Sequence, residues 1–182
     1  MEKRIKQNLV YKGKLLSLEV LEVLMPSGFR TTREVIYHPG AVAVIALNSQ
    51  NQVLLVRQYR TALRDFTWEI PAGKLEKGEN PLKCAQRELL EETGYEAKIW
   101  QFLFSFFPSP GYSNEVIHLF LAQGLVEKQP KLEADEEITF SFFSLEELNR
   151  MIKPSQPFDG KTLLALMYLN ERNLSKNNPD SP

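Results

Sequence analysis

The stretch GKLEKGENPLKCAQRELLEETGY, residues 73–95, combines helix punctuation with glutamates at fixed spacing. Asn80 is a good helix N-cap, and Pro81 fits the first helical position, where its missing N–H costs nothing. Gly94 suits the position just past the last turn. The sequence therefore predicts a helix that begins at Pro81 and ends at Thr93, with an apolar side at 3.6-residue periodicity.

Three glutamates share one side of this predicted helix. Glu88, Glu91 and Glu92 stand at positions i, i+3 and i+4, so their carboxylates crowd together. Like charges at this spacing cost about 0.2–0.5 kcal/mol per pair, and Arg87 offsets only part of that cost through Glu91. Carboxylate donors suit a hard cation such as Mg²⁺ or Mn²⁺. Taken alone, such a cluster is more often a solvated acidic helix face.

The same stretch matches every position of the Nudix box, GX5EX7REUXEEXGU, in which U is a bulky aliphatic or aromatic residue. The matched residues are Gly73, Glu79, Arg87, Glu88, Leu89, Glu91, Glu92, Gly94 and Tyr95. The chain therefore resembles a Nudix hydrolase. The resemblance implies hydrolysis of a nucleoside diphosphate linked to another group, with water attacking phosphorus and Mg²⁺, or Mn²⁺, as cofactor.

The resemblance also implies a role for each box residue. Glu88 and Glu92 would be the primary metal ligands, with Glu91 as a shared ligand or a residue that positions water. The carbonyl of Ala72 would add a ligand, and Gly73 and Gly94 would be structural.

Two further box residues would act on their neighbours. Arg87 would orient a box carboxylate, and Glu79 would brace the loop. For Glu79, a favourable interaction with the helix dipole is an equal alternative.

An acidic run at residues 132–137 precedes a predicted strand and is the best source of a general base. In ADP-ribose pyrophosphatases a glutamate just before this strand serves as base or extra metal ligand. By distance from the strand, Glu137 is the first candidate, Glu136 the second and Glu133 the third. An ordinary solvated charge run is the alternative.

Residues outside the box narrow the substrate class. SPGYSNE, residues 109–115, resembles the SPGxxxE segment of hydrolases of ADP-ribose and related nucleoside diphosphate sugars. It makes Gly111, Ser113 and Glu115 candidate substrate-binding residues, although a simple Pro-Gly turn is the alternative.

Further blocks resemble the same subfamily: RQYR at residues 57–60, WEIPAG at residues 68–73, and TTRE at residues 31–34 leading to HPGAV. By the resemblance, Arg60 and Glu69 would line the substrate site, and Arg33 would reach a nucleotide across a dimer interface. Arginine grips phosphate with a planar fork of donors. Each residue could instead form a surface ion pair.

Composition places the chain among globular proteins. It has 182 residues, 43% of them hydrophobic, and a net charge of −1, which gives no electrostatic reason to expect a nucleic-acid or membrane partner. No signal peptide or membrane span is expected. The single cysteine, Cys84, excludes an internal disulfide, is expected in the core, and fits a cytoplasmic location. His118 is expected to be a hydrogen-bonded core histidine.

Apolar and β-branched runs predict strands along most of the remaining chain. A hairpin is expected from residues 15–24 and 29–38, and a second strand pair from residues 41–47 and 52–59. Further strands are expected at residues 97–107, 115–122 and 138–143.

Two more helices are expected near the C-terminus. Ser144 and Glu147 form a capping box for a helix that ends near residue 152. Asp159 can cap a last helix whose apolar side is expected to carry Leu163, Leu166 and Met167.

The order of elements predicts an α/β or α+β fold. The resemblance implies a Nudix α/β/α sandwich at residues 40–172, with an N-terminal antiparallel β-subdomain at residues 1–39. That subdomain would pack or exchange between protomers of a homodimer. A polar tail occupies residues 173–182.

The leading functional hypothesis is Mg²⁺-dependent hydrolysis of ADP-ribose, or a related nucleoside diphosphate sugar, to a nucleoside monophosphate and a sugar phosphate. For ADP-ribose these products are AMP and ribose 5-phosphate. One alternative is a Nudix hydrolase of dinucleoside polyphosphates or nucleoside triphosphates. Another is a non-catalytic Nudix domain that binds nucleotide as a sensor. The base and sugar preference depends on pocket shape and stays open at this point.

Overall fold

The computed structural model describes residues 1–128 and 137–177, with side chains up to residue 173. The N-terminal part is an antiparallel three-stranded sheet. It contains β1 (Lys3–Lys12), β2 (Ser17–Leu24) and β3 (Arg30–Tyr37), in that order. The predicted hairpin is therefore present as β2 and β3, and β1 adds an edge strand to it.

A larger mixed sheet follows. Its strands are β4 (Ala41–Leu47), β5 (Val53–Arg60), β6 (Asp65–Glu69), β7 (Ala72–Lys74), β8 (Tyr95–Phe106), β9 (Ile117–Glu127) and β10 (Thr139–Phe143). The main path is β10-β5-β4-β9-β8, with β6 beside β5 and β7 beside β4. The β4–β9 pair is parallel, whereas the other pairs are antiparallel.

Strand β4 separates two apolar cores. Its odd-numbered residues, such as Ile45, pack with α2 (Leu145–Met151) and α3 (Gly160–Asn177). Its even-numbered residues, such as Val44, pack with α1 (Pro81–Thr93). The whole strand is buried because both faces of the sheet are covered. The result is the expected α/β/α arrangement of a mixed α/β fold.

Helix α1 has the predicted boundaries because its signals are local. Asn80 Oδ1 accepts a hydrogen bond from the Leu82 N–H at 2.9 Å. Gly94 has φ 71° and donates its N–H to the Leu90 carbonyl at 2.8 Å. Cys84 is fully buried against the sheet, as expected. The cap glycine adopts the left-handed conformation that side chains disfavour.

The last two helices also begin where the sequence predicts. Ser144 and Glu147 form the capping box of α2. Asp159 Oδ2 accepts the Thr162 N–H at the start of α3, at 3.0 Å.

The predicted apolar side of α3 was wrong at one position. Leu166 is fully buried, whereas Met167 is 61% exposed. Among the side chains of residues 160–173 in α3, the buried ones are Thr162, Ala165, Leu166 and Leu169, at positions i, i+3, i+4 and i+7. Met167 follows Leu166 by about 100° around the helix and falls outside this stripe.

Strands β1, β6 and β7 were not among the strands predicted from the sequence. Strand β1 is exposed along its whole length and begins with charged residues, and β6 and β7 are short. Strands β6 and β7 also change the expected pairing of β4 with β5. Only Leu47 and Val53 pair directly, because β6 and β7 occupy the neighbouring edges further along. Strand β9 begins at Ile117 rather than at residue 115.

The N-terminal sheet joins the rest of the fold through the end of β3. The Ile36 N–H donates to the Tyr112 carbonyl at 2.7 Å, and the Asn114 N–H donates to the Ile36 carbonyl at 3.2 Å. The His38 N–H donates to Asn114 Oδ1 at 2.7 Å. None of the helices in the described part of the chain is long and apolar enough to cross a membrane.

Candidate active site

The site is built around the backbone of Gly73, the first residue of the box. A Cβ atom at this position would lie 1.9 Å from Glu88 Cδ and 2.1–2.2 Å from its carboxylate oxygens. The Glu88 carboxylate therefore rests directly on the chain at Gly73, where only glycine leaves room. The Glu88 side chain is 13% exposed.

Glu92 contacts Ala72, the residue before Gly73. Its Oε2 accepts a hydrogen bond from the Ala72 N–H at 3.1 Å, and the residue is buried. Ala72 and Gly73 belong to β7, which pairs with the first residues of β4. The sheet edge thus holds the Ala72–Gly73 backbone against two carboxylates of α1.

Arg87 ties the helix carboxylates to the loop before the helix. Its Nη1 donates to Glu88 Oε1 at 2.7 Å and to Glu91 Oε2 at 2.9 Å. Its Nε and Nη2 donate to the two carboxylate oxygens of Glu79, each at 3.0 Å. These carboxylates raise the pKa of Arg87, the hydrogen bond to Glu79 most strongly. Arg87 is therefore a permanent cation shared by three glutamates.

Glu79 binds both Arg87 and the backbone of the loop before the helix. Its Oε2 also accepts the Glu76 N–H at 2.9 Å. The hydrogen bonds from Arg87 lower the pKa of Glu79 to about 2. Its contacts are therefore with the arginine and the loop backbone, whereas Asn80 caps the helix.

Cys84 lies beside this network but is not a reactive thiol. Its Sγ donates to the Lys74 carbonyl at 3.3 Å, and Arg87 Nη2 donates to Sγ at 3.3 Å. Burial raises the pKa of the Cys84 thiol to about 12. The thiol is therefore protonated at neutral pH.

The oxygen donors around β7 fit a hard divalent cation. Glu88 and Glu92 approach the same two-residue segment, and Glu91 lies one helical turn from Glu88 on the same helix side. Within residues 1–128 and 137–173, no three His, Cys, Asp or Glu side chains are close enough to form a ready-made cation cage. Arg87 forms ion pairs with Glu88 and Glu91.

A second charged cluster lies at the end of β6. Arg60 Nε and Nη2 donate to the two oxygens of Glu69 at 2.7 and 2.6 Å. Thr67 Oγ1 and Lys161 Nζ also donate to this carboxylate. Burial alone would raise the pKa of Glu69, but the hydrogen bonds from Arg60 and the charge of Lys161 outweigh it, and the pKa falls to about 2.

The two clusters are electrostatically connected. Hydrogen bonds to Glu69 raise the pKa of Arg60, and the charges of Glu92 and Asp159 contribute to the same shift. Arg60, Glu69, Lys161 and Asp159 line a cavity of about 480 Å³ together with Leu63 and Phe158. The arginine is 41% exposed and the glutamate 3%, so the guanidinium reaches the cavity from a buried support.

Arg60 and Glu69 were candidates from the sequence, whereas Lys161 was not. The FDGKT stretch signals only a helix start, and Asp159 was expected as its cap. Lys161 reaches Glu69 from 92 positions away in the chain. No local pattern marks such a contact, because only the packing of α3 on the sheet creates it.

The SPG segment lies at the end of the sheet that carries the box glycine. Strand β4 begins at Ala41, which pairs with Lys74 of β7 and with Ile117 of β9. The segment ends two residues before Ile117. Glu115 Oε1 lies 3.6 Å from His38 Nδ1, and its N–H donates to Ser113 Oγ at 3.1 Å.

Ser113 and Gly111 differ in their surroundings. Ser113 forms an isolated bridge with Ile36 of β3. Gly111 has open space where a Cβ atom would lie. Ser113 therefore links the N-terminal sheet to the loop that precedes β9.

Two further predicted site residues lie on other elements of the chain. Arg33 of β3 donates to Glu2 and contacts Met25 Sδ at 3.6 Å. Glu137 is exposed and lies two residues before the start of β10. Glu133 and Glu136 lie outside the described residues.

His118 has the hydrogen bond that was expected for it. It is half-buried, and its Nδ1 lies 2.7 Å from Ser105 Oγ on the neighbouring strand β8.

Comparison with known proteins adds independent information. A family model described as the NUDIX domain matches residues 37–166. A methanol dehydrogenase activator from Bacillus methanolicus is 45% identical over 170 residues, covering 92% of each chain. An ADP-ribose pyrophosphatase from Bacillus subtilis (strain 168) is 41% identical over 170 residues, again covering 92% of each.

A solved structure supports the same fold. The crystal structure of an ADP compounds hydrolase superposes with a TM-score of 0.81 and covers 96% of this chain and 95% of its own. At 20% sequence identity, this likeness concerns the fold alone. The match to the family model and the identity to full-length relatives decide the family. The chain belongs to the NUDIX domain family.

Proposed function

We propose that this protein is a divalent-cation-dependent hydrolase of nucleoside diphosphate sugars, with ADP-ribose as the first candidate substrate. The observation that carries the proposal is the contact of Glu88 and Glu92 with the Ala72–Gly73 segment. This contact supports the proposal because it brings two glutamates of the Nudix box onto one backbone segment. The name of the Bacillus subtilis relative supports the choice of ADP-ribose.

The name of the Bacillus methanolicus relative describes an effect on another enzyme and no substrate. The substrate class therefore rests on the pyrophosphatase relative and on the SPG segment. The intact box glutamates favour an enzyme over a nucleotide sensor, because a domain that only binds nucleotide has no need to activate water.

The cation would be held by Glu88, Glu92 and the Ala72 carbonyl, with Glu91 as a shared ligand. Mg²⁺ is the first choice and Mn²⁺ the second, because both accept carboxylate, carbonyl and phosphate oxygens. Such a cation would neutralise charge on the diphosphate oxygens during substitution at phosphorus.

The protein's own groups supply binding and proton transfer. Arg60 presents its guanidinium to the cavity and would bind the diphosphate. Glu137, or Glu136 next to it, would accept a proton from water as its oxygen attacks one phosphorus. The bond from that phosphorus to the bridging oxygen breaks, which gives AMP and ribose 5-phosphate from ADP-ribose.

Assembly and location belong to the same proposal. We infer a homodimer in which the N-terminal sheet, residues 1–39, packs on the partner and Arg33 reaches the partner's nucleotide. Residues 40–172 would form the catalytic domain. A cytoplasmic location is consistent with the single buried thiol of Cys84.

A substrate panel tests the proposed function. ADP-ribose, other nucleoside diphosphate sugars, dinucleoside polyphosphates and nucleoside triphosphates are incubated with the protein, with and without Mg²⁺. Products are separated by chromatography. We expect Mg²⁺-dependent turnover that is fastest on ADP-ribose or another diphosphate sugar. Fastest turnover of a triphosphate or dinucleoside polyphosphate would contradict the substrate class, and binding without any turnover would favour a sensor.

The substitution Glu92→Gln tests the proposed role of Glu92 as a metal ligand. The change keeps the side-chain size and removes the charge, so we expect kcat to fall by roughly 100-fold or more while nucleotide binding persists. Glu96→Gln makes the same chemical change at an exposed position of β8 and should leave kcat within about twofold. Equal effects of the two substitutions would contradict the role of Glu92.

A further inference from the structure

Lys161 is a largely buried lysine that lies between two carboxylates. Its side chain is 12% exposed and lies between Glu69, at 3%, and Asp159, at 18%. Its Nζ donates to Glu69 Oε2 and, at 2.9 Å, to Asp159 Oδ1. An ammonium group is strongly hydrated, so burial at this level requires such partners. The position is therefore built for a charge.

Glu69 stands between Lys161 and the cavity-facing arginine. Its Oε2 accepts from both Arg60 Nη2, at 2.6 Å, and Lys161 Nζ. Its Oε1 accepts from Arg60 Nε at 2.7 Å and from Thr67 Oγ1. With four donors on two oxygens, the carboxylate has one defined orientation. Two parallel hydrogen bonds to Glu69 in turn fix the orientation of the Arg60 guanidinium.

The backbone around Lys161 is fixed to the strand that carries Glu69. Asp159 Oδ2 accepts from the Thr162 N–H at 3.0 Å and from Thr162 Oγ1 at 2.6 Å. Thr162 Oγ1 in turn accepts the N–H of Ile70, the residue after Glu69, at 2.8 Å. The start of α3 and the end of β6 are thus joined through both side chain and backbone.

We propose that Lys161 is a positioning residue for substrate binding, which acts by fixing Glu69 and, through it, the guanidinium of Arg60. The proposal rests on the proposed function, in which Arg60 binds the diphosphate. Arg60 uses Nε and Nη2 for Glu69, and its Nη1 donates to no other side chain in the described residues. That edge of the guanidinium is the one left for a phosphate oxygen.

Charge balance gives Lys161 a second reason to be present. Arg60 and Lys161 together balance Glu69 and Asp159, so the cluster is neutral before substrate arrives. Without Lys161 it would carry a net negative charge close to the box carboxylates. An anionic substrate would then bind less tightly.

Steady-state kinetics of Lys161→Met test the effect on substrate binding. The change preserves length and removes the charge. We expect KM for the diphosphate sugar to rise about 10- to 100-fold, because a charge-assisted hydrogen bond that orders Arg60 is lost, and kcat to change less than about threefold. Lys161→Arg keeps the charge and should show a smaller rise. Lys98→Met, at an exposed position of β8, is the matched control and should keep wild-type constants.

A double-mutant cycle separates positioning from direct contact. If Lys161 acts through Glu69, Lys161→Met should change KM by less than about threefold in a Glu69→Gln background. An equal rise in both backgrounds would overturn the proposal, because Lys161 would then act without Glu69. The double variant removes one charge of each sign, so it remains informative if Lys161→Met alone does not fold.

A direct readout does not depend on turnover. In protein with ¹⁵N-labelled arginine, the Arg60 Nε–H signal is assigned by its loss in Arg60→Lys. We expect Lys161→Met to shift this signal and to speed its exchange with water, whereas Lys98→Met leaves it unchanged. An unaltered Arg60 signal in Lys161→Met would overturn the proposal. This result stands even if the wild-type protein hydrolyses no nucleotide sugar, which would refute only the proposed function.

Discussion

Gly73 shows how one residue without a side chain can define a site. The Glu88 carboxylate occupies the volume that a Cβ atom would take, so the carboxylate and the Ala72–Gly73 backbone share one small space. A methyl group at this position would collide with the far end of a flexible side chain. The collision would therefore displace Glu88 rather than unfold the sheet.

Gly73→Ala should separate activity from stability. We expect kcat/KM to fall about 10- to 100-fold because a proposed metal ligand moves, with a small change in the free energy of unfolding. Activity assays at several Mg²⁺ concentrations and urea denaturation measure the two quantities. Gly160→Ala is the control, since open space surrounds that position. A Gly73→Ala protein with wild-type kcat/KM would contradict the placement of Glu88.

Glu69 should make stability depend on pH. Its pKa falls from an ordinary 4.5 to about 2 in the folded protein, which corresponds to about 3 kcal/mol of stability above pH 5. The pKa is lower in the folded protein than in the unfolded chain. This contribution is therefore complete above pH 5 and is lost as the pH falls through 4.5 towards 2. The difference in unfolding free energy between wild type and Glu69→Gln should therefore shrink by more than half from pH 7 to pH 3.

Urea denaturation of both proteins at the two pH values measures this change. Other carboxylates titrate equally in both proteins and cancel in the difference. Glu96→Gln, at an exposed position, should differ little from wild type at either pH. A difference for Glu69→Gln that stays constant between pH 7 and pH 3 would show that the carboxylate carries no such linkage.

At the scale of single elements, the helices and strands that could be predicted from the sequence are those with local signals. Helix α1 matches its prediction because Asn80, Pro81 and Gly94 act within one turn of each end. The same spacing brings its glutamates to one side. Strand β7 escaped prediction because three residues are too few for a periodic pattern, whereas the five residues of β6 do alternate polar and aromatic side chains and were missed. Their positions depend on pairing with β5 and β4, which is a long-range property.

Helix α3 gives a direct test of which face is buried. Leu166→Ala should lower the free energy of unfolding by about 2–5 kcal/mol, because it leaves a cavity in the core beneath the sheet. Met167→Ala, one residue further, should change it by less than about 0.5 kcal/mol, because that side chain is 61% exposed. Urea denaturation measures both. Similar losses for the two variants would contradict the orientation of the helix.

At the scale of the whole molecule, the candidate functional segments lie near one end of strand β4. The box segment flanks Ala41 on one side, and the strand that follows the SPG segment flanks it on the other. The N-terminal sheet attaches through the SPG segment. Its edge strand β1 exposes Leu9, Val10 and Tyr11, each by more than half. Exposed apolar residues on an edge strand are typical of an association surface.

The proposed dimer predicts that two inactive variants restore each other. Glu92→Gln removes a proposed metal ligand, and Arg33→Ala removes the arginine proposed to reach the partner's nucleotide. A mixed dimer contains one site with both defects and one site with neither. After equal mixing, refolding and random pairing, about a quarter of all sites should be intact. ADP-ribose hydrolysis should therefore return to roughly a quarter of the wild-type rate.

The association surface provides the control for this complementation. Leu9→Asp places a charge on the exposed apolar strand and should prevent both dimer formation, measured by sedimentation, and the recovery of activity. Gln7→Asp adds the same charge at a polar position of β1 and should preserve more of both. If mixed dimers form but no activity returns, Arg33 acts within its own chain or not at all. In that case the contacts of Arg33 with Glu2 and Met25 would describe its whole role, as a residue that holds the N-terminal sheet together.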